Sequence, residues 1–295
     1  MRILLTGTSG KVGGYLKQYW QDQHEVLALT RSVVDLADDV KLTDFLKEAS
    51  FDILLNPAAV STPEACEANS DLAERVNISA PKVMAQICAA RQKPFIHFST
   101  DYVLDGDIPG FKDEASLTRP NNIYGQTKLA GEQAVLAAYP EATLARISWV
   151  FGSAGEGFLE KIFRLIQEQQ PLEGVADKYS LPTSAPEIAK ALDLIIEARA
   201  NGLFHLTQTA EEPVSWHTYA EEVASAVYEE GLTPDLIPVS PRKMVDIPVL
   251  RTNRPIHTAM TPARLKNDLD HHMRPWKLVL RERVHELATS MPRSV

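Results

Sequence analysis

The sequence predicts an α/β chain: a doubly wound parallel sheet followed by a smaller, mixed α/β lobe. Three observations carry this reading. Strand-length apolar runs alternate with helix-length amphipathic segments through the first half of the chain. A glycine triplet, Gly7, Gly10 and Gly13, follows the first of those runs. After residue 150 the alternation loosens.

The opening run, residues 3–5, reads as a short buried strand that enters the glycine turn and then a helix over about 11–20. Further strands are expected at 25–29, 53–55, 95–98 and 143–147, with helices near 42–49, 69–91 and 122–138. Right-handed crossovers bring the C-terminal ends of such strands to one edge, where ligands bind in open α/β sheets. Gly7, Arg31, Ala58, Ser99-Thr100 and Ser148-Trp149 all follow strand ends and should meet at one cleft. Glycines at this spacing let the turn tighten, let backbone N–H groups approach a pyrophosphate and let helix and strand pack closely. A plain strand-to-helix turn would use the same glycines, but the flanking strand and helix favour a phosphate cradle made of Gly7, Ser9, Gly10, Lys11, Val12 and Gly13. The sheet is therefore expected to be Rossmann-type.

Beyond residue 150, helices are expected at 156–168, 185–198, 216–229 and 276–289, with a short strand at 203–206 and a proline-rich stretch over 232–255. The 203–206 run is apolar enough to return to the first sheet. The expected division is a nucleotide-binding domain over 1–152, with a return segment near 185–210, and a substrate-binding lobe formed by 153–184 and 211–295.

Composition narrows the function. With 295 residues and 44% apolar content the chain can bury a large core. A net charge of -9 argues against nucleic acid or an anionic membrane as partner. No apolar run approaches the roughly 20 residues that span a bilayer, and the N-terminus shows no signal-peptide pattern. Cys66 and Cys88 are too few for a zinc site or a disulfide framework. His205, His271 and His272 stand at no metal-ligand spacing with carboxylates. A cytoplasmic protein with no bound metal is the expectation.

The chemistry is signalled by Tyr124 and Lys128 in Asn-Ile-Tyr-Gly-Gln-Thr-Lys, the only Tyr–Lys pair at this spacing in the chain. Residues four apart share a helix face, so the ammonium is expected beside the phenol, favouring its ionised form. A tyrosine so placed can pass a proton at neutral pH. At the end of the second strand the chain has Leu29-Thr30-Arg31-Ser32 where a carboxylate would bind the ribose hydroxyls of NAD. Arg31 can pair with the 2′-phosphate of NADP, or remain a solvated loop residue. NADPH is the expected cofactor, with NADH the alternative.

Thr6-Gly-x-x-Gly-x-x-Gly13, Asn56-Pro-Ala-Ala59, Asn77, Ser99-Thr-Asp-Tyr-Val103 and Tyr124-Gly-Gln-Thr-Lys-Leu-Ala-Gly-Glu132 resemble the extended short-chain dehydrogenase/reductases. More narrowly, Arg146-Ile-Ser-Trp-Val150, Asp177-Lys-Tyr-Ser-Leu-Pro-Thr183, Gly202-Leu-Phe-His-Leu206, Trp216-His-Thr-Tyr219 and Asn253-Arg-Pro255 are similar to the dTDP-4-dehydrorhamnose reductase family, in the same order from residue 1 to about 290.

The resemblance implies NADPH-dependent reduction of the C4 ketone of dTDP-4-dehydro-6-deoxy-L-mannose to dTDP-L-rhamnose. It implies that Tyr124 protonates the developing alkoxide, that Lys128 lowers the Tyr124 pKa and binds the nicotinamide ribose, and that Thr100 hydrogen-bonds the substrate oxygen. Asp35 and Leu36 match a position that flanks adenine, and Ala58 and Ala59 a loop along the pyrophosphate and ribose. Asn77 stands where relatives support a proton-relay water; capping or bridging within its own helix is the competing reading. Tyr102 and Trp149 would pack against sugar and thymine, and Arg254 would meet the diphosphate or else be an exposed loop arginine.

The chain also departs from that family. Val60-Ser-Thr-Pro-Glu64 replaces a His-Thr-x-Val-Asp run, so Ser61 stands for a threonine and Pro63 for a valine in the substrate wall. Tyr15 occupies the place of a glutamate that binds magnesium at a dimer interface in some relatives, so no such metal is expected, while a homodimer stays open. Two other functions remain: reduction or epimerisation of another nucleotide sugar, and a regulatory NADP-binding subunit similar to the beta subunit of methionine adenosyltransferase.

Overall fold

Ile3, Leu4 and Leu5 are at most 1% exposed because β1 (Arg2–Thr6) runs through the middle of a sheet covered on both faces, which is why its three central positions are all apolar. The computed structural model describes residues 1–153, 155, 157–250 and 252–290; of the segments expected to form the helix at 156–168 and the second lobe, residues 154, 156, 251 and 291–295 lie outside the described residues. Alternate side chains of β1 serve opposite faces. Ile3 and Leu5 pack with Leu16 and Trp20 of α1 (Lys11–Trp20), whereas Leu4 packs with Leu42 and Leu46 of α2 (Asp39–Glu48).

The sheet continues with β2 (Glu25–Leu29), β3 (Ile53–Asn56), β4 (Phe95–Thr100) and β5 (Thr143–Ile147), with α3 (Ala80–Ala90) and α4 (Ile123–Ala138) as crossovers. Its sixth strand, β6 (Gly202–Leu206), returns after α5 (Phe158–Gln167) and α6 (Ala185–Ala198). All six strands are parallel, in the order β6-β5-β4-β3-β1-β2. The order reverses at β1, which marks the crevice above its C-terminal end as the place for a ligand. The 203–206 run thus rejoins the first sheet as expected, and α6 is tied to α1: Trp20 Nε1 and the Tyr19 hydroxyl donate to Asp193 at 2.7 and 2.9 Å.

The strand at the β6 edge is closed by side chains rather than by another strand. His205 N–H donates to Glu114 Oε1 at 3.1 Å, and Arg264 donates to the carbonyls of Leu203 and Asn201 at 3.1 and 3.3 Å. The Arg264 guanidinium also lies 4.4 Å from the centre of the Phe204 ring.

One expected helix is more elaborate than its sequence pattern suggests. The 69–91 segment is a short helix (Ser70–Glu74), a π-helical turn (Arg75–Ser79) and then α3, preceded by a further helix (Pro63–Ala68). Pro81 has no N–H to give the carbonyl of Asn77 four residues earlier, so the ladder widens there. α2 begins before residue 42 because Asp38 caps it, accepting from Lys41 N at 3.0 Å.

The remaining chain packs around Phe151, Leu159, Ile162, Val223 and Leu280, contributed in part by α5, α7 (Trp216–Glu229) and α8 (Trp276–Ser290). Three two-stranded pairs stitch it together: Val150–Phe151 with Thr183–Ser184, Tyr179–Ser180 with Val214–Ser215, and Leu172–Val175 with Val239–Arg242. The proline-rich stretch therefore contains a strand that apolar alternation did not reveal. Among the described residues no helix is long and apolar enough to cross a membrane.

Candidate active site

A cleft of about 820 Å³ opens above the C-terminal edge of the sheet, between the sheet and the second group of helices. One end is backbone. Gly7 has φ +59°, and a Cβ there would stand 2.9 Å from Ala58 N; a Cβ on Gly13 would stand 2.3 Å from Gly7 O. No side chain caps the N-terminus of α1, so its first N–H groups have no side-chain acceptor at the cap. Ser9, Gly10, Lys11 and Val12 line this end together with Gly7 and Gly13, as the glycine spacing predicts. Thr6 Oγ1 donates to Asn56 Oδ1 at 2.6 Å and accepts from Ala58 N at 3.2 Å, fixing the ends of β1 and β3 side by side.

Arg31, Asp35 and Leu36 line the same end, and so do Ala58, Ala59 and Ser61. The Arg31 side chain is 78% exposed and pairs with Asp35 at 3.3 Å. It is both a solvated residue and a cleft residue, and any phosphate must compete with Asp35 for it.

Asn77 does not line the cleft. It is fully buried, donating to Val60 O and Thr127 Oγ1, each at 3.1 Å, and accepting from Val60 N at 2.9 Å. The structure gives it a bridging contact, but to the loop after β3 rather than within its own helix. Arg254 is likewise off the cleft wall: its guanidinium donates to Glu64 at 2.6 Å and to Thr252 O at 3.1 Å. At 8% exposure it is not an exposed loop arginine, and it faces the Tyr102 phenol.

At the centre of the cleft stand Thr100, Tyr124 and Lys128, from the end of β4 and the first turns of α4. Asn122 starts α4 by accepting from Gly125 N at 2.8 Å, which sets Tyr124 and Lys128 on the face toward β4. Lys128 is 2% exposed and its Nζ donates to Phe98 O at 2.6 Å, with His97 Nε2 at 3.4 Å. Burial lowers its pKa to about 8, against the pull of Glu132, and the same burial holds His97 neutral. The Tyr124 phenol is pushed above its ordinary value by burial, and the group that favours its ionised form is the Thr100 hydroxyl. A buried ammonium needs an acceptor, and the Phe98 carbonyl supplies it for Lys128.

The far end is made of side chains. Trp149 follows β5 in a left-handed conformation, φ +45°, and its ring lies 5.4, 5.7 and 4.6 Å from those of Phe158, Trp216 and Tyr219. Tyr102 stands edge-on to Tyr124 at 5.5 Å. Phe158, Trp216 and Lys178 also line this end and escape sequence reasoning. Phe158 carries only a helical-core signal; Trp216 and Lys178 sit in motifs that bear the family resemblance but have no spacing of their own. Among the described residues no three His, Cys, Asp or Glu side chains are grouped to hold a metal.

Comparison with known proteins bears on this geometry. The sequence profile described as "RmlD substrate binding domain" matches residues 1–289. A dTDP-4-dehydrorhamnose reductase of Sinorhizobium fredii is 35% identical over 78% of this chain and 79% of its own. The crystal structure of a dTDP-4-dehydrorhamnose reductase from Clostridium acetobutylicum superposes with a TM-score of 0.88 at 27% identity, covering 97% of this chain and 99% of the other. A dTDP-4-dehydrorhamnose reductase from Bacillus anthracis in complex with NADP shares the fold, with a TM-score of 0.86 at 24% identity over 97% of this chain and 99% of that one.

Proposed function

The chain belongs to the RmlD substrate-binding-domain family, and on that premise we infer that it is an NADP-dependent oxidoreductase that reduces the C4 ketone of dTDP-4-dehydro-6-deoxy-L-mannose to dTDP-L-rhamnose. The observation that carries the reading is the meeting of Thr100, Tyr124 and Lys128 with the glycine turn in one cleft. The turn fits the cofactor: without side chains at Gly7 and Gly13 the turn closes tightly on Ala58 and on the start of α1, and α1 presents N–H groups there that no side chain caps. When bound, NADPH supplies the hydride for C4.

The protein's own residues do the rest. Tyr124 gives its proton to the C4 oxygen as charge develops there, and burial, which disfavours the phenolate, keeps that proton in place until the alkoxide forms. Lys128 sits below, held by Phe98 O, where its ammonium meets the ribose and offsets negative charge on the phenolate in the transition state. Arg31 takes the 2′-phosphate, Asp35 and Leu36 flank adenine, and Ala58 and Ala59 follow the pyrophosphate. Asn77 acts on that loop by holding Val60. Ser61, Tyr102 and Trp149 receive the dTDP-sugar, and the Phe158–Trp216 wall excludes water from it. Arg254 acts through Tyr102, which it faces, rather than on the diphosphate.

The test is NADPH oxidation across a panel of 4-keto nucleotide sugars, with dTDP as competitor. The dTDP-4-keto-6-deoxy sugar is expected to be turned over and its free sugar to be a far poorer substrate, because remote binding energy orients the reacting carbon. Turnover of another nucleotide sugar only, or no competition by millimolar dTDP while NADPH binds, would overturn the substrate assignment.

A further inference from the structure

Below the sugar end of the cleft a buried lysine and a buried carboxylate are joined by one threonine. Lys178 is 1% exposed, Asp101 4% and Thr258 fully buried. Lys178 Nζ donates to Thr258 Oγ1 at 2.7 Å, and Thr258 Oγ1 donates to Asp101 Oδ2 at 2.5 Å. The other Asp101 oxygen accepts from Thr100 Oγ1 at 3.1 Å. The Thr100 hydroxyl faces the Tyr124 phenol, so the line runs from a side chain of the second lobe to the centre of the site.

We propose that Lys178 is a positioning residue for the ketone reduction: through Thr258 it holds Asp101 as a carboxylate, and Asp101 in turn sets the direction in which the Thr100 hydroxyl points. A carboxylate can only accept, so both neighbouring hydroxyls must aim their protons at it. Thr100 then turns a lone pair to Tyr102 N, 3.3 Å away. A protonated Asp101 can donate instead, which releases the Thr100 proton and turns the hydroxyl around. The charge on one buried carboxyl thus selects between two orientations beside the reacting oxygen. Burial alone drives that carboxyl toward its neutral form; the Lys178 charge and the two hydroxyls oppose it.

An ammonium this deeply buried is costly unless its charge is answered, and Asp101 is the carboxylate that answers it. The other titratable or charged groups facing the network are Arg254, which faces Lys178 and Tyr102, the phenols of Tyr102 and Tyr124, and His257, stacked on Tyr179 at 5.2 Å. Lys178 also stands 5.4 Å from the centre of the Tyr102 ring, so the same cation steadies that wall of the cleft.

This inference rests on the reductase reading, and the experiment separates the two. In the full-length protein Lys178→Met is expected to lower kcat about tenfold at neutral pH with the NADPH Kd unchanged, and to move the acidic limb of the kcat profile upward by about two pH units, past neutrality. Lys178→Arg, which keeps the charge, restores the limb. In an Asp101→Asn background the Lys178→Met change adds no further loss, because its effect passes through Asp101. Infrared spectroscopy without substrate gives an answer independent of turnover: Lys178→Met gains a protonated-carboxyl band at neutral pH that the double variant lacks. Should Lys178→Met not fold, Lys178→Gln removes the charge while keeping a donor for Thr258, and the same measurements apply. Additive losses in the double variant, an unmoved acidic limb or the absence of the new band would overturn the proposal. A wild-type protein without turnover would sink the reductase reading and leave the infrared result to decide the network.

Discussion

At the nucleotide end of the cleft the protein offers mainly backbone, drawn from the turn at 7–13 and the loop after β3, whereas at the sugar end it offers side chains drawn from β4, α4, α5, α7 and the segment around Lys178. The first end is shaped by what is missing, the Cβ atoms of Gly7 and Gly13. The second is shaped by what is packed in, the rings of Trp149, Phe158 and Trp216 and the Lys178 ammonium. A phosphate cradle needs N–H groups at fixed spacing, which a short local segment can supply. A sugar wall needs shape, which only segments distant in sequence can assemble. Substitutions at one end should therefore affect cofactor binding and those at the other should affect substrate binding, with Tyr124 and Lys128 between them.

The sharpest break comes at that junction. Tyr124→Phe removes the proposed proton donor and keeps the ring, so turnover should fall by at least about 100-fold while NADPH affinity, measured by calorimetry, stays near wild type. Undiminished turnover would remove Tyr124 from the chemistry.

Next is the pH response of Lys128, whose pKa is lowered to about 8. Its charged form is present below that value and lost above it, so kcat/KM for NADPH should decline as pH rises through about 8, approaching tenfold per unit. The linked stability has the opposite sense. The unfolded chain keeps the lysine protonated up to its ordinary pKa, so folding is penalised below about 8 and the penalty is relieved as pH rises toward 10.5. A profile flat to pH 10 in kcat/KM would place the functional charge elsewhere.

Trp149→Ala tests the sugar end alone. It should raise KM for the dTDP-sugar and lower kcat, together about 30-fold in kcat/KM, and leave NADPH binding unchanged. Loss of NADPH affinity in this variant would show that the two ends are not separable.

The smallest effects belong to the exposed nucleotide rim. Arg31→Ala should weaken NADPH by about tenfold and hardly touch NADH, with solvent and salt limiting the loss. Asp35→Asn, which frees the guanidinium from its partner at 3.3 Å, should strengthen NADPH by about threefold. Equal changes for both cofactors would show that Arg31 does not read the 2′-phosphate.

The same contrast explains what the sequence discloses. The six strands, the crossover helices and the glycine turn are legible because period, length and glycine spacing are local. Thr100, Tyr124 and Trp149 are legible as strand-end or helix-face residues, and they do line the cleft. Asn77 and Arg254 look like ligand residues in one dimension, but Val60 and Glu64 take up their hydrogen bonds in three. The π-helical turn is hidden because its cause, Pro81, reads equally well as the first turn of a new helix. Lys178 is hidden more deeply, because nothing local says that a lysine after Asp177 will be buried beside Thr258, 80 positions away.

One feature of the sheet bears on how the protein behaves in a crowded solution. One of the two outermost strands, β6, would present unpaired N–H and C=O groups, and such a rim is a template on which a second chain can add a strand. Glu114 and Arg264 occupy those groups at His205, Leu203 and Asn201. They act as a stopper against strand addition, supplied by a loop and by a late helix (Ala263–Leu269). A fragment ending near residue 152 would lack both β6 and Arg264 and would bare the rim of β5, so it should self-associate through that rim even though its glycine turn and Tyr124 are intact.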